Sequence, residues 1–230
     1  MKTTWIAATL ALAIVASARA DDFDARVRAY ILNNPEIILE ALEILSEREA
    51  RAETTARIAA FPDLFSDAPA LGLGAPDAPI RVVEFFDYKC GPCKAMHPAV
   101  AEAVRQHPDL RVELRQLPIL SPASERAARF ALAVRALYGA DAYARAHDRL
   151  WQHRGPFNTS VLARIAEHEG WDPDALDAET GSAEITARID RNRTIAMDLG
   201  IRGTPAFVTP TSVTFGQGDV GALAERWLQR

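Results

Sequence analysis

Cysteine is scarce. The chain has 2 among its 230 residues, and both fall in one tetrapeptide, Cys90-Gly91-Pro92-Cys93. With no second cysteine pair, a four-thiolate zinc site is excluded. Methionine, at 3, and histidine, at 5, form no tract that could gather a soft metal ion. Positive charge is in deficit. The formal net charge is −5, which gives no support to nucleic-acid binding and fits an ordinary soluble protein. Long apolar runs are missing after the first 20 residues, so no later segment approaches a membrane span. Residues 1–20 read as a secretory leader. Lys2 supplies the positive start, Trp5 to Val15 the apolar core, and Ala18-Arg19-Ala20 a small-x-small cleavage site. The apolar core is too short for the alternative, a membrane anchor. Cleavage after Ala20 and export to an oxidising compartment, the periplasm, are expected.

The residues that are present converge on Val82 to Pro98. Val82-Val83-Glu84-Phe85-Phe86 is a short, β-branched and aromatic run, which predicts a buried strand. It leads into Cys90-Gly91-Pro92-Cys93 and a helix-compatible segment from about Gly91 to Gln106, interrupted by Pro98. A strand delivering Cys-x-x-Cys to a helix start is the layout of a thioredoxin-like redox site. The unpaired N–H groups and partial positive charge of a helix N-terminus stabilise a thiolate at Cys90. Cys93, one turn on, is placed to close a short ring with Cys90 and release a mixed disulfide. Pro92 fits the first turn, where its missing N–H costs nothing. The alternatives are a zinc half-site, which lacks further ligands, and an inert disulfide, whose short loop would stabilise the fold little. Lys89 and Lys94 flank the pair, either favouring the thiolate or simply solvated. Met96 reads as core, and His97 as a partly exposed polar residue rather than a metal ligand.

Val83-Glu84-Phe85-Phe86-Asp87-Tyr88 with Cys90-Gly91-Pro92-Cys93-Lys94, joined by Gly203-Thr204-Pro205-Ala206-Phe207-Val208 near the end, resembles the DsbA-like thiol–disulfide oxidoreductases. More narrowly, the chain resembles their periplasmic suppressor-of-copper-sensitivity C (ScsC-like) branch. The resemblance implies an α/β thioredoxin fold with a helical insertion and an N-terminal helical oligomerisation segment. It implies that Thr204–Pro205 is a cis bond facing the cysteines, with Thr204 and Pro205 holding an extended client chain. It also gives Glu84, on the buried strand, a role in proton exchange with Cys93; the alternative is a strand-end charge paired with a lysine.

The expected organisation is a leader at 1–20, a helical stalk at 21–60, a turn-rich linker at 61–79 and a catalytic domain at 80–230. The linker carries Pro62, Pro69, Gly72, Gly74, Pro76 and Pro79, and residues around Pro69 to Leu73 could add an edge strand. In the stalk, Phe23, Val27, Tyr30 and Ile31 suit a short helix. Asn34 is read as N-cap and Pro35 as first residue of a second helix, with Ile38, Leu42 and Leu45 on one seam. That seam needs a partner. Either its own domain covers it, or, as the resemblance implies, other copies of the chain do. Residues 111–117 alternate as a second strand, with Val112 and Leu114 on one face and Arg111, Glu113 and Arg115 on the other. Residues 121–199 read as the helical insertion. His147 and Trp151 within it form a helix-face pair, not a site. Val213 to Phe215 is the last strand, and Asp219 caps a terminal helix.

Together these imply an exported thiol–disulfide oxidoreductase, with Cys90 attacking and Cys93 resolving, and with no cofactor and no metal. Gly-Pro between the cysteines and Thr before the proline resemble reducing and isomerising members. The reading therefore leans to a disulfide isomerase or reductase, kept reduced by a membrane thiol–disulfide reductase. The alternative is a DsbA-type oxidase recharged by a membrane oxidase. An alternative of another class is a Cu(I)-binding protein using the two thiolates.

Overall fold

A computed structural model of the chain describes residues 23–65 and 71–229. The leader expected at 1–20 lies outside them. The chain divides into two compact units, Met1–Arg51 and Ala52–Arg230.

In the first unit, α1 covers residues 23–33, and α2 (Glu36–Ala59) begins after a break at Asn34 and Pro35. The Asn34 side chain does not cap α2. Its amide donates back to the Tyr30 carbonyl at 2.8 Å and closes the end of α1 instead. Both helices carry large apolar side chains facing outward, among them Phe23, Tyr30, Leu32, Leu39 and Leu42.

The second unit is a five-stranded mixed sheet with helices on both faces. In chain order its elements are β1 (Gly72–Leu73), β2 (Ile80–Phe86), α3 (Gly91–Gln106), β3 (Leu110–Gln116), α4 (Pro122–Gln152), α5 (Thr159–Glu169), α6 (Pro173–Thr180), α7 (Ala183–Asp198), β4 (Ala206–Thr209), β5 (Ser212–Phe215) and α8 (Val220–Leu228). The strands lie in the order β1-β3-β2-β4-β5. β2 and β3 are parallel, joined through α3, and every other pairing is antiparallel. α4 to α7 are the insertion between β3 and β4. Its starts are chemically marked. Ser121, Asn158, Asp172 and Ser182 each accept a backbone N–H of the first turn they precede. α4 is broken at Gly139, whose φ of 85° is the left-handed conformation that glycine adopts without strain.

Alternation along β2 splits the core in two. Val82 and Phe86 point to the face covered by α3, α4 and α8, where Cys93, Met96, Val100, Leu223 and Trp227 pack. Val83 and Phe85 point to the other face, against Ile195 and Leu199 of α7 and its C-cap, and against Ile58 at the end of α2. β3 departs from a half-solvated strand. It lies between β1 and β2, and all its residues are buried. Its charged face is covered and therefore internally paired. Glu113 accepts from Arg111 at 2.6 Å and from Arg81 at 3.0 Å. Arg115 donates to Asn192 and to the carbonyls of Asp63 and Leu64.

Candidate active site

The site begins with one buried carboxylate. Asp87, at the end of β2, accepts the Lys89 N–H on one oxygen at 2.7 Å. Its other oxygen accepts the N–H groups of Ile119 at 3.0 Å and Leu120 at 3.1 Å. The turn that presents Cys90 is thereby tied to the loop that follows β3. The long half of this clamp has no local signal in the sequence, because Ile119 and Leu120 lie 32 and 33 residues away.

Cys90 is the N-cap of α3. It has an extended backbone, and Pro92 lies in the first turn. The Cys93 N–H points at Cys90 Sγ from 3.1 Å, so an N–H of the first turn is aimed at that sulfur. Cys90 and Cys93 are joined as a disulfide, with Cα atoms 5.2 Å apart. Cys93 is fully buried. Cys90, although it stands at the helix end, is itself only 3% exposed. The Thr204 carbonyl oxygen lies 3.2 Å from its sulfur and covers it from the facing loop. The openings lie to either side. Gly91 and Gly203 are both exposed, and a Cβ added to either would meet nothing within 4 Å.

The facing loop holds the two residues expected to bind a client. The Thr204–Pro205 peptide is cis. The Pro205 carbonyl accepts from the Gly216 N–H at 2.8 Å, anchoring the loop beside β5. The Thr204 hydroxyl is buried with no hydrogen-bond partner among the described residues.

Glu84 lies on the α3 face of the sheet, because it alternates with Val82 and Phe86, whose cluster contains Cys93. Its strand neighbours are Leu114 and Phe207. It is completely buried, and neither carboxyl oxygen has a hydrogen-bond partner among the described residues. No lysine pairs with it. Burial alone pushes its pKa up to about 8, so near neutral pH it holds a proton.

Neither lysine is simply solvated. Lys89 Nζ donates to the Gly155 carbonyl at 2.9 Å and Lys94 Nζ to that of His153 at 2.7 Å. Both ammonium groups sit over the Phe157 ring. The loop after α4 is thus fastened across the two residues that flank the cysteines.

One feature escaped the sequence reading. Trp151 Nε1 donates to His147 Nε2 at 2.7 Å, and His147 Nδ1 lies 2.8 Å from the Tyr88 hydroxyl. With Nε2 accepting, the ring proton resides on Nδ1 and is given to Tyr88. Burial, helped by His97, holds the His147 pKa well below the usual histidine value and keeps the ring neutral. His97 stacks on Trp151 with ring centres 5.1 Å apart. This packed group braces the turn at Tyr88 and the first turns of α3. Its one signal in the sequence is the four-residue spacing of His147 and Trp151; Tyr88 joins only through the fold. Among the described residues, no group of three or more His, Cys, Asp or Glu side chains is placed to hold a metal ion. No helix among them is long and apolar enough to cross a membrane.

Comparison with known proteins agrees with this geometry. Residues 81–227 match the DSBA-like thioredoxin domain, and residues 21–52 match the copper resistance protein ScsC N-terminal domain. The structure of the thiol-disulfide exchange protein alpha-DsbA2 from Wolbachia pipientis superposes with a TM-score of 0.70 at 26% identity, over 78% of this chain and 96% of that one. A thioredoxin-like oxidoreductase from Silicibacter pomeroyi is 35% identical, with a TM-score of 0.65 over 71% of this chain and 92% of that one. A linker-deletion mutant of Proteus mirabilis ScsC is 26% identical, with a TM-score of 0.69 over 92% of this chain and 95% of that one. Among curated relatives, Na(+)/H(+) antiporter NhaA 3 of Salinispora tropica is 28% identical over 153 residues, 66% of this chain. The match spans only 23% of that protein's length.

Proposed function

The chain belongs to the DsbA-like thioredoxin family and is a thiol–disulfide oxidoreductase of it, and we propose that it works on the cysteines of exported proteins in the isomerase or reductase direction. The observation that carries the exchange chemistry is the Cys90–Cys93 disulfide at the start of α3, with the Cys93 N–H aimed at Cys90 Sγ; the direction is read from Gly91-Pro92 between the cysteines and Thr204 before the proline. In the reduced protein, that N–H and the helix end favour a Cys90 thiolate. The thiolate attacks one sulfur of a client disulfide, and the client's other sulfur leaves as a thiolate. That thiolate can attack a different client disulfide, and the thiolate it displaces then attacks the client sulfur of the mixed disulfide and frees Cys90, which rearranges the client with no net change in electrons. Alternatively Cys93 loses its proton and attacks Cys90 Sγ of the mixed disulfide, so the client leaves reduced and the Cys90–Cys93 bond forms. Two electrons then have to return from a membrane thiol–disulfide reductase.

Glu84 supports the resolving step as positioned proton carrier. With its pKa raised to about 8, the ionised minority of Glu84 can take a proton from Cys93 as that thiol turns nucleophile, and the protonated form can give one back when Cys93 departs. Thr204 and Pro205 hold the client's backbone alongside Cys90. The exposed apolar side chains of residues 23–45 support self-association of the N-terminal helices, which would set several active sites around one client.

The test uses Cys93→Ala. Without the resolving thiol, mixed disulfides between Cys90 and client proteins should accumulate and be visible on non-reducing gels. Reduced full-length protein should also recover activity from a scrambled disulfide substrate faster than the oxidised protein oxidises a reduced one. No trapped adduct would refute exchange through Cys90. A faster oxidation arm would reverse the direction.

A further inference from the structure

The redox site is rimmed by four segments. They are 88–94 with the cysteines, 117–121 held by Asp87, 153–158 held by the two lysines, and 200–205 with the Thr204 carbonyl on Cys90. These segments contain Lys89, Lys94, Arg154 and Arg202 and not one aspartate or glutamate. The chain as a whole has 31 acidic residues against 26 basic ones, so charge is sorted, and the cations lie where a client must approach. Of the carboxylates that adjoin these segments, Asp87 is buried with both its oxygens taken by backbone N–H groups, and Glu125, beside Pro118, is held by Arg193 and Arg129. The lysine head groups rest on neutral carbonyls, which orient them without cancelling their charge. Arg154 and Arg202 are exposed. The Lys94 ammonium is disfavoured by desolvation and then by Lys89 and Arg154, both of its own sign. Asp148 of α4, the acidic group that acts nearby, exerts its pull on His97.

Resting on the exchange reading above, we propose that this rim selects clients whose reactive cysteines are flanked by acidic residues. Three effects favour such a client. Its carboxylates meet an uncompensated positive field, which raises the encounter rate by about 10-fold or more at low salt. The same charges oppose a basic segment and so discriminate against it. Ile119 and Leu120, 43% and 54% exposed beside Asp87, give the client's apolar side chains a surface next to the charge. The exchange itself is unchanged. In the oxidising sense, a client thiolate attacks Cys90 Sγ and Cys93 leaves as the thiolate. The client's second thiolate then attacks its own sulfur in the mixed disulfide and releases Cys90. Two electrons and two protons pass from client to protein.

The test uses synthetic dithiol peptides identical except at the residues beside the cysteines: Asp and Glu in one, Lys and Arg in the second, Ser and Gln in the third. The oxidised full-length protein is mixed with each peptide, quenched with acid and read by mass spectrometry. The acidic peptide should react about 10-fold faster than the basic one at low salt. The ratio should collapse towards one at about 0.5 M salt, where charges are screened within a few ångströms. Arg154→Glu with Arg202→Glu should invert the ratio of the acidic to the basic peptide's rate. Equal rates with the acidic and basic peptides at low salt, or a preference untouched by salt, would overturn the selection and leave the exchange chemistry standing. Reaction with none of the three peptides would overturn both.

Discussion

At the scale of single residues, Glu84 carries the sharpest consequence. A carboxyl with no hydrogen-bond partner among the described residues, between Leu114 and Phe207, costs the fold something while protonated and far more when ionised. Its pKa rises from an ordinary 4.5 to about 8. Between those values the unfolded chain has released a proton that the native chain still holds, so native stability falls as pH rises through that window. The loss amounts to a few kcal/mol by pH 8. Glu84→Gln keeps the shape and cannot ionise. The denaturation midpoint of the unaltered protein should therefore fall relative to that of Glu84→Gln as pH rises from 5 to 8. Parallel curves would show that Glu84 is not the buried acid described. The residue's peculiarity was legible in the sequence, since a lone Glu inside Val-Val-x-Phe-Phe has no packing reason to exist. Its lack of a partner was not legible, because which side chains reach a strand's face depends on segments more than a hundred residues away, such as β4.

At the scale of elements, β2 and the helix caps of the insertion were readable, the Asn34 cap was not, and β3 was only partly so. Local rules govern caps and apolar runs: Ser121, Asn158, Asp172 and Ser182 act within three residues of themselves. The polar face of β3 alternates like a solvated strand, yet only the sheet order reveals that it is covered. Arg111 and Glu113 are 3% and 2% exposed and bond to one another. Arg81 shares the same carboxylate, and the Gly74 carbonyl accepts from Arg111 at 2.8 Å. Removing one partner strands a buried charge. Glu113→Ala should lower stability by ~3–5 kcal/mol, read as a shifted urea midpoint with an unchanged slope. Arg111→Met combined with Glu113→Leu removes both charges and keeps the volume. It should recover most of that loss, because the pair also carries a desolvation cost. A single variant as stable as the parent would mean that water reaches this face.

At the scale of the whole molecule, the boundary between the parts lies earlier than the prolines and glycines of 61–79 suggest. The second compact unit starts at Ala52. Ile58 is 2% exposed in the core with Val83, Phe85 and Leu199, and the Arg57 guanidinium donates to the Leu199 carbonyl at 3.4 Å. Turn-forming residues mark where a chain bends, whereas a folding unit ends where apolar burial ends, and a helix can cross that limit without any local sign. Two truncations should therefore behave differently. Deleting residues 21–51 should leave a folded domain that still exchanges disulfides. Deleting 21–60 should cost a further ~2–5 kcal/mol, the loss expected for emptying a buried isoleucine site. The first deletion also tests the proposed assembly. Phe23, Tyr30, Leu32, Leu39 and Leu42 are each more than half exposed, and apolar surface of that extent in water calls for cover. If copies of the chain supply it, light scattering should give a multiple of the chain mass for the full protein and a single chain after deletion of 21–51. Scrambled-substrate reactivation should then fall with the oligomer, because neighbouring active sites raise the effective thiol concentration around a client. Oxidation of small dithiol peptides, which need one site only, should persist. A monomeric full-length protein, or isomerase activity undiminished in the deletion, would assign the N-terminal helices to some other partner.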